Sequence, residues 1–441
     1  MATVKAEPGR RWVINGVRIL DPFRGVDTVG DVAVADGRFA EPAGEAAERW
    51  DGRGLWLVPR LTDMHVHFRA PGQEWKEDLD SGLEAAVAGG FTAVATMPNT
   101  TPVVDEPALV RWQIDRARTA GLARLWPLGA ITRGSEGREL APMARLAEAG
   151  AAGFSDDGRP VSSALIMRAA LSYAAGLGRP VIQHALDLAL GGDGVMNEGP
   201  VSARLGLPGQ PELAEAVVVW RDVLLAGLTG GPLHVAHVSS PASLDAVAYG
   251  RRRGWRVSAE ATPHHLYFTD EVVAEWAYDP VTKVNPPLRG EATRQALLEA
   301  VEEGLVGCFA SDHAPHHADE KALPYDQAPF GISGLETALA ATLTALLPRG
   351  RMSPLEFFAR WTTGPHRVLG VSYGGVVPGE AADFTLIDPQ AVWEVDPARF
   401  RSKGRNTPFA GVRLTGRAVA VVVGGRPVMR EGEVLRQDAD A

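Results

Sequence analysis

Two histidines separated by one residue, His65 and His67 in the run Asp63-Met64-His65-Val66-His67-Phe68-Arg69, are the first residues able to do chemistry. In an extended strand side chains alternate with a period of two, so both imidazoles face one side and can grip one ion. Neutral imidazoles suit zinc, and catalytic zinc sites mix them with carboxylates while leaving a position for water. Of eleven histidines, five fall at the ends of apolar, strand-like runs: His65, His67, His184, His237 and His313. His316 and His317 follow in the next loop. After Leu233-His234-Val235-Ala236 the same period reads His237 as a ligand and His234 as packing against a helix on the opposite face. Asp312, in Ala310-Ser311-Asp312-His313, adds a carboxylate. Asp156-Asp157 before Gly158 is turn chemistry by itself. Beside four histidines on the same face, one of the two becomes a bridging ligand.

These residues need elements that bring them to one place. Short apolar runs end at His65 and occupy 93–96, 125–128, 152–154, 180–182, 233–236, 256–259 and 306–310. Stretches such as 79–88, 106–120, 162–177, 211–226 and 291–303 space their apolar residues as helices do. Eight such units over residues 60–375 imply an α/β fold, a TIM-type (β/α)8 barrel, whose catalytic residues sit just past the strand ends. Residues 1–59 and 376–441 are different. They carry alternating runs broken by Asn15-Gly16, Asp36-Gly37, Asp51-Gly52 and Gly424-Gly425, which read as hairpins. Both termini together are expected to build one small β-sandwich domain.

The bulk properties remove other classes. A formal net charge of −10 over 441 residues argues against nucleic acid or an anionic membrane as partner. Cys308 is the only cysteine, so neither an intrachain disulfide nor a cysteine zinc site can form. No run approaches the ~18 apolar residues of a membrane span, and no signal-peptide pattern opens the chain. The expected location is cytoplasmic.

Several further segments extend the pattern: Pro71-Gly72, Lys76-Glu77-Asp78, Met97-Pro98-Asn99-Thr100, Phe154 to Gly158, His237-Val238-Ser239, Glu260 to Leu266, Asn285-Pro286-Pro287-Leu288-Arg289, Ser311 to His316, and Ala328-Pro329-Phe330-Gly331. With them the chain resembles the amidohydrolase superfamily, and within it the longer type of dihydroorotase. The resemblance implies that His65, His67 and Asp312 hold one Zn2+, His184 and His237 a second, with Asp157 and a hydroxide as bridges. Many members of the superfamily bridge their metals through a carbamylated lysine; here lysine occurs only at positions 5, 76, 283, 321 and 403, away from the fourth strand. The chain departs from the family at Ala185-Leu186-Asp187, where Cys-Glu-Asp is usual, and at Arg60, where glycine is common. Both read as supporting positions.

The activity implied is the zinc-dependent, reversible cyclisation of N-carbamoyl-L-aspartate to L-dihydroorotate in pyrimidine biosynthesis. The bridging hydroxide attacks the ring carbonyl and Asp312 shuttles the proton. Arg69, two residues past His67, can offer a bidentate fork to the substrate carboxylate. Asn99 and His316 are the other carboxylate contacts the resemblance implies, and Asn285, Phe330 and Gly331 the contacts to the ring amides. Asp63, a layer below His65, reads as a hydrogen-bond support, His264 and His265 as structural, and 313–331 as a flap. A homodimer is expected, with aspartate transcarbamoylase as a further partner. The rival readings are a hydantoinase or allantoinase, whose substrates lack the exocyclic carboxylate, and a metal-free scaffold for the transcarbamoylase.

Overall fold

In the computed structural model, which describes residues 11–42, 46 and 48–436, eight parallel strands pair in chain order. They are Thr62–Val66, Ala93–Thr96, Arg124–Gly129, Gly153–Ser155, Val181–Gln183, Leu233–Val235, Val257–Ala261 and Cys308–Phe309. The ring closes where Val66 bridges His313 in parallel and the His67 N–H donates to the His313 carbonyl at 2.8 Å. This is the expected (β/α)8 barrel. Alternation explains why it holds. Met64, Ala95, Leu128, Ile182, Ala236 and Cys308 fill the interior, while Val94, Val181, Leu233, Val235 and Val257 belong to the larger core packed against the helices.

The helices begin and end where their sequences dictate. Asp78 caps Leu79–Ala88, Ser163 caps Ala164–Leu177 and Ser240 caps Pro241–Arg252, each accepting from a backbone N–H of the first turn. Leu213–Thr229 ends at Gly230 in the left-handed region, which only glycine enters without strain. Residues 1–10 of the expected N-terminal β unit, Lys5 among them, lie outside the described residues.

Strands from both termini form a separate sheet of nine, joined where Trp56–Pro59 pairs with Phe384–Glu394. Its own core draws on Trp12, Ile14, Val34, Trp50, Phe384 and Val422. Asp36-Gly37 and Gly424-Gly425 are two-residue turns with all four φ angles positive, as the sequence pairs predict. Asn15-Gly16 is not a hairpin. It is a bulge inside the continuous strand Arg11–Asp21, held by Asp31, whose carboxylate accepts from Asn15 Nδ2 (2.9 Å) and the Gly16 N–H (2.8 Å). Nor does Asp51-Gly52 turn a hairpin, because Glu48–Asp51 pairs parallel to the first strand.

Arg60 is a supporting residue, and what it supports is the junction between barrel and terminal sheet. It precedes the first barrel strand, at the end away from His65, with a φ of 44°. Its guanidinium lies 2.5 Å from Asp383 and stacks on Tyr373 (3.8 Å), and Asp383 also receives Arg124. It ties barrel to terminal sheet and does not touch the histidine cluster.

Candidate active site

At the C-terminal mouth of the barrel the strand ends converge on Asp157. One of its carboxylate oxygens lies 3.5 Å from His65 Nε2, 3.6 Å from His184 Nδ1 and 3.4 Å from His237 Nε2; the other lies 3.4 Å from His67 Nε2. Asp312 stands across from it, 3.4 Å from His65 Nε2 and 3.2 Å from His67 Nε2. Asp156 points away, taking the N–H groups of Ile131 and Thr132 and the Thr132 hydroxyl. Of the aspartate pair, Asp157 alone faces the histidines.

The donor set fits divalent ions. His65, His67 and Asp312 offer ligand atoms within 4.8 Å of one another, as do His65, Asp157 and His237. His65 Nε2 and the Asp157 oxygen nearest it are fully buried and make no hydrogen bond, a costly arrangement unless an ion takes them. Second partners fix the ring orientations. His65 Nδ1 donates to Glu260 at 2.6 Å and His67 Nδ1 donates to Asn99 Oδ1 at 2.8 Å, which turns both Nε2 lone pairs toward the two carboxylates. Burial alone would raise the Asp157 and Asp312 carboxyls. The neighbouring histidines overcome it and hold both well below the ordinary aspartate range, as ligand anions require.

His234 corrects the sequence reading. It aligns with Ile182 and Ser258 on neighbouring strands and points into the barrel, where Nε2 donates to Glu260 at 3.1 Å. His237 reaches the mouth because the strand ends at Val235 and the chain turns, with His237 at a φ of 31°. Strict alternation fails there. Arg69 (58°) and Asp312 (49°) also have positive φ, so three residues of this site sit in a region that L-residues avoid. Glu260, which sequence reasoning missed, serves His65 and His234 together, and this pairing holds its carboxyl near about 2 against burial. Its signal was a carboxylate inside a strand whose one other polar residue is Ser258. Asp63 accepts from the backbone of Ser311 and His65, as expected. His313 is structural: Nδ1 accepts from Gly334 and Leu335 N–H at the start of Leu335–Leu346. His265 is likewise held by Thr262 and the Pro286 carbonyl.

Around this cluster stand the expected substrate contacts. Arg69 is buried; it donates to the Pro315 carbonyl at 3.2 Å and makes no ion pair with any described residue. The salt bridge to Glu74 or Glu77 that would explain it as a surface cation does not form, because Glu77 is taken by Ser81, Ser402 and His313. Burial lowers its guanidinium to about 10, still a cation at neutral pH. Asn99 accepts from His67 through Oδ1. Asn285 Nδ2 lies 3.4 Å from His184 Nε2. His316 Nε2 donates to the Phe330 carbonyl at 2.8 Å, so that bond must exchange before His316 can hold a carboxylate. The Gly331 N–H goes to the Lys283 carbonyl at 2.9 Å, which leaves its own carbonyl, already bonded to Asn406, as the main-chain contact. A Cβ on Gly331 would come within 2.7 Å of Ala314, so only glycine fits.

Lysines hold this second ring. Lys283 Nζ donates to the carbonyls of Ala328 (2.7 Å) and Asp326 (3.1 Å) and lies 4.6 Å from the Phe330 ring. Lys321 donates to the Pro329 carbonyl, and Lys76 pairs with Glu320 at 2.9 Å. Segment 313–331 is thus tied down over the mouth. Asn406, far along the chain, adds two more ties, to the His316 N–H and the Gly331 carbonyl.

Known proteins resemble the chain over nearly all its length. The family described as Dihydro-orotase-like matches residues 54–243, and Amidohydrolase family matches 226–429. A dihydroorotase of Anaeromyxobacter dehalogenans is 48% identical over 96% of this chain and 99% of its own. One of Pelotomaculum thermopropionicum is 48% identical with the same coverage. Among solved structures, the L-hydantoinase of Arthrobacter aurescens superposes with a TM-score of 0.84 at 25% identity, covering 96% of this chain and 97% of that one. A D-hydantoinase from Thermus sp. gives 0.80 at 22%, covering 97% of each, and shares the fold.

Proposed function

The chain belongs to the dihydroorotase family of amidohydrolases, hydrolases that act on cyclic amides, and from that membership we propose how its residues divide the reaction. The reaction is the reversible closure of N-carbamoyl-L-aspartate to L-dihydroorotate with release of water. His65, His67 and Asp312 would hold one zinc and His184 and His237 a second, with Asp157 as the shared ligand; the Asp157 carboxylate within 3.6 Å of all four histidines supports this division. Two ions bound there would lower the pKa of a water between them and polarise the scissile carbonyl.

The chain's own residues do the rest. Arg69 binds the exocyclic carboxylate that both substrate and product keep, with Asn99 Nδ2 beside it. Asn285 and the Phe330-Gly331 backbone orient the ring amide. Asp312 takes the proton of the attacking water and delivers it to the ring nitrogen as the amide bond breaks; closure runs the same transfer backwards. The segment 313–331 covers the mouth and limits bulk water. The observation that carries the substrate is Arg69, a buried cation beside the histidine cluster that pairs with no carboxylate among the described residues. Hydantoin has no such carboxylate to offer.

A cytoplasmic homodimer completes the reading, with aspartate transcarbamoylase as a further partner. Cys308, a buried free thiol, fits that compartment. Among the described residues, no helix is long and apolar enough to cross a membrane. The test is turnover of dihydroorotate by zinc-reconstituted protein, followed by its ultraviolet absorbance. Turnover that falls at least ~1000-fold in Asp312→Asn, in line with losing a general acid–base at a metal site, supports the assignment. Turnover of hydantoin without dihydroorotate overturns the substrate. No turnover of either overturns the enzyme.

A further inference from the structure

The run Lys76-Glu77-Asp78 lies in the loop between the first barrel strand and its helix. Two of its residues serve the fold: Glu77 takes Ser81, Ser402 and His313, and Asp78 caps Leu79–Ala88. Lys76 reaches His316. Its side chain is only 13% exposed, and Nζ lies 3.5 Å from His316 Nδ1 and 2.9 Å from one oxygen of Glu320. The other Glu320 oxygen lies 3.6 Å from the same Nδ1.

An imidazole that holds one proton can carry it on either nitrogen, and the neighbours decide which. At Nε2 the neighbours are the Phe330 carbonyl at 2.8 Å, which takes a proton, and Arg69 Nη2 at 3.5 Å, which offers one. At Nδ1 they are Glu320, which takes a proton, and Lys76, which offers one. The ring itself stays neutral: burial, then Arg69, Lys321 and Lys76, lower its pKa well below the usual histidine range. Two arrangements therefore compete. In one, Nε2–H donates to the Phe330 carbonyl and Lys76 faces the bare Nδ1. In the other, Nδ1–H donates to Glu320 and the bare Nε2 accepts from Arg69. Only the first gives a hydrogen to a carboxylate arriving at Nε2, and only the first leaves Arg69 free for it.

We propose that Lys76 is a positioning residue that fixes the proton of His316 on Nε2, by neutralising Glu320 and by setting its own charge against Nδ1. This rests on the assignment of His316 to the substrate carboxylate. Lys76 has three N–H donors, enough to serve Glu320 and face the ring together. An ammonium 3.5 Å from Nδ1 repels a proton there, and a carboxylate already paired at 2.9 Å attracts one less strongly. As a tether alone the ion pair is weak, because the Glu320 side chain is 32% exposed. Without Lys76, Glu320 draws the proton to Nδ1, and Nε2 turns a lone pair toward the substrate carboxylate.

The test has two arms, both on the full-length, zinc-loaded protein. The first reads the nitrogen NMR resonances of isotope-labelled histidine without substrate, the His316 signals being identified by their loss in His316→Gln. The expected result is a proton on Nε2 in wild type and on Nδ1 in Lys76→Met. The second arm measures dihydroorotate turnover. Lys76→Met should raise KM at least ~10-fold, the share of one hydrogen bond to a charged group, and leave kcat within about threefold of wild type. Removing the competing carboxylate as well, in Lys76→Met/Glu320→Ala, should return the proton to Nε2 and KM to within about threefold of wild type. A wild-type His316 protonated on Nδ1 overturns the proposal, and that reading needs no variant to fold. So does a Lys76→Met protein with the proton still on Nε2, or a double variant as impaired as the single one, which would make Lys76 a tether only. A wild type that leaves dihydroorotate unchanged overturns the substrate assignment instead, and the NMR arm still decides where the proton sits.

Discussion

The strand ends and the loops above them hold the two halves of this site by different means. His67, Asp157, His184, His237 and Asp312 each stand within three residues of a barrel strand, and His65 lies inside one. Of their supports, Glu260 and Asp63 are strand residues themselves, and Asn99 stands three residues past Ala93–Thr96. His316, Phe330 and Gly331 lie on a loop and owe their places to distant groups, Lys283, Lys321, Lys76 and Asn406, and Arg69 leans on that loop through the Pro315 carbonyl. A strand fixes a ligand through backbone hydrogen bonds shared with two neighbours. A loop residue needs its own tether. On the proposed assignment, the metal-binding half should therefore be insensitive to any one loop contact, while substrate recognition should depend on a few charged anchors.

Substitutions in either half break this contrast in different ways. After Asp312→Asn, the largest effect is expected from Arg69→Met, which removes the proposed partner of the substrate carboxylate. Charge-assisted hydrogen bonds contribute about 1.5–3 kcal/mol each, so KM for dihydroorotate should rise about 100-fold with zinc content unchanged. A lost metal complement in that variant would show that the two halves are not separate. Glu260→Gln is the converse. It leaves the loops alone, and outer partners of metal-binding histidines are worth roughly 10–100-fold in metal affinity; zinc titration by competition with a chelator reads it.

Smaller effects sharpen the loop side. Lys283→Met releases the Asp326 and Ala328 carbonyls, and KM should rise about 10-fold, roughly 1.4 kcal/mol, while kcat stays within about threefold of wild type. Equal falls in kcat and kcat/KM would instead place Lys283 in the chemistry. Lys321 gives the smallest signal. Burial lowers its amine from the usual 10.5 to about 7. Between those values the folded chain binds fewer protons than the unfolded one, so its share of stability rises with pH across about 7 to 10.5. At saturating zinc, Tm should climb less from pH 7 to pH 9 in Lys321→Met than in wild type; equal slopes would remove Lys321 as a buried cation.

The same contrast decides what could be read without coordinates. The barrel was legible because eight apolar runs alternate with helical spacing, and the metal-facing residues because they follow those runs directly. Period-two reasoning worked for His65 and His67. It misjudged His234, because the turn after Val235, with His237 at positive φ, resets the alternation that seemed to separate the two. Asn15-Gly16 misled for a related reason: the pair that favours a two-residue turn also suits a bulge, and Asp31, sixteen residues on from Asn15, decides which forms. Lys283 and Asn406 had no local signature. What they hold lies 43 to 45 and 75 to 90 residues away in the chain, and only folding brings the partners together. Glu260 left only a weak mark, a carboxylate in a short strand, and nothing local pointed to its partners His65 and His234.

All of this rests on two ions lying on either side of Asp157. Crystals of the zinc-reconstituted protein measured above and below the zinc absorption edge test it directly. The account predicts two anomalous peaks, one among His65, His67 and Asp312 and one beside His184 and His237, with Asp157 in reach of both. A single peak, or two peaks with Asp157 bound to neither, would contradict it.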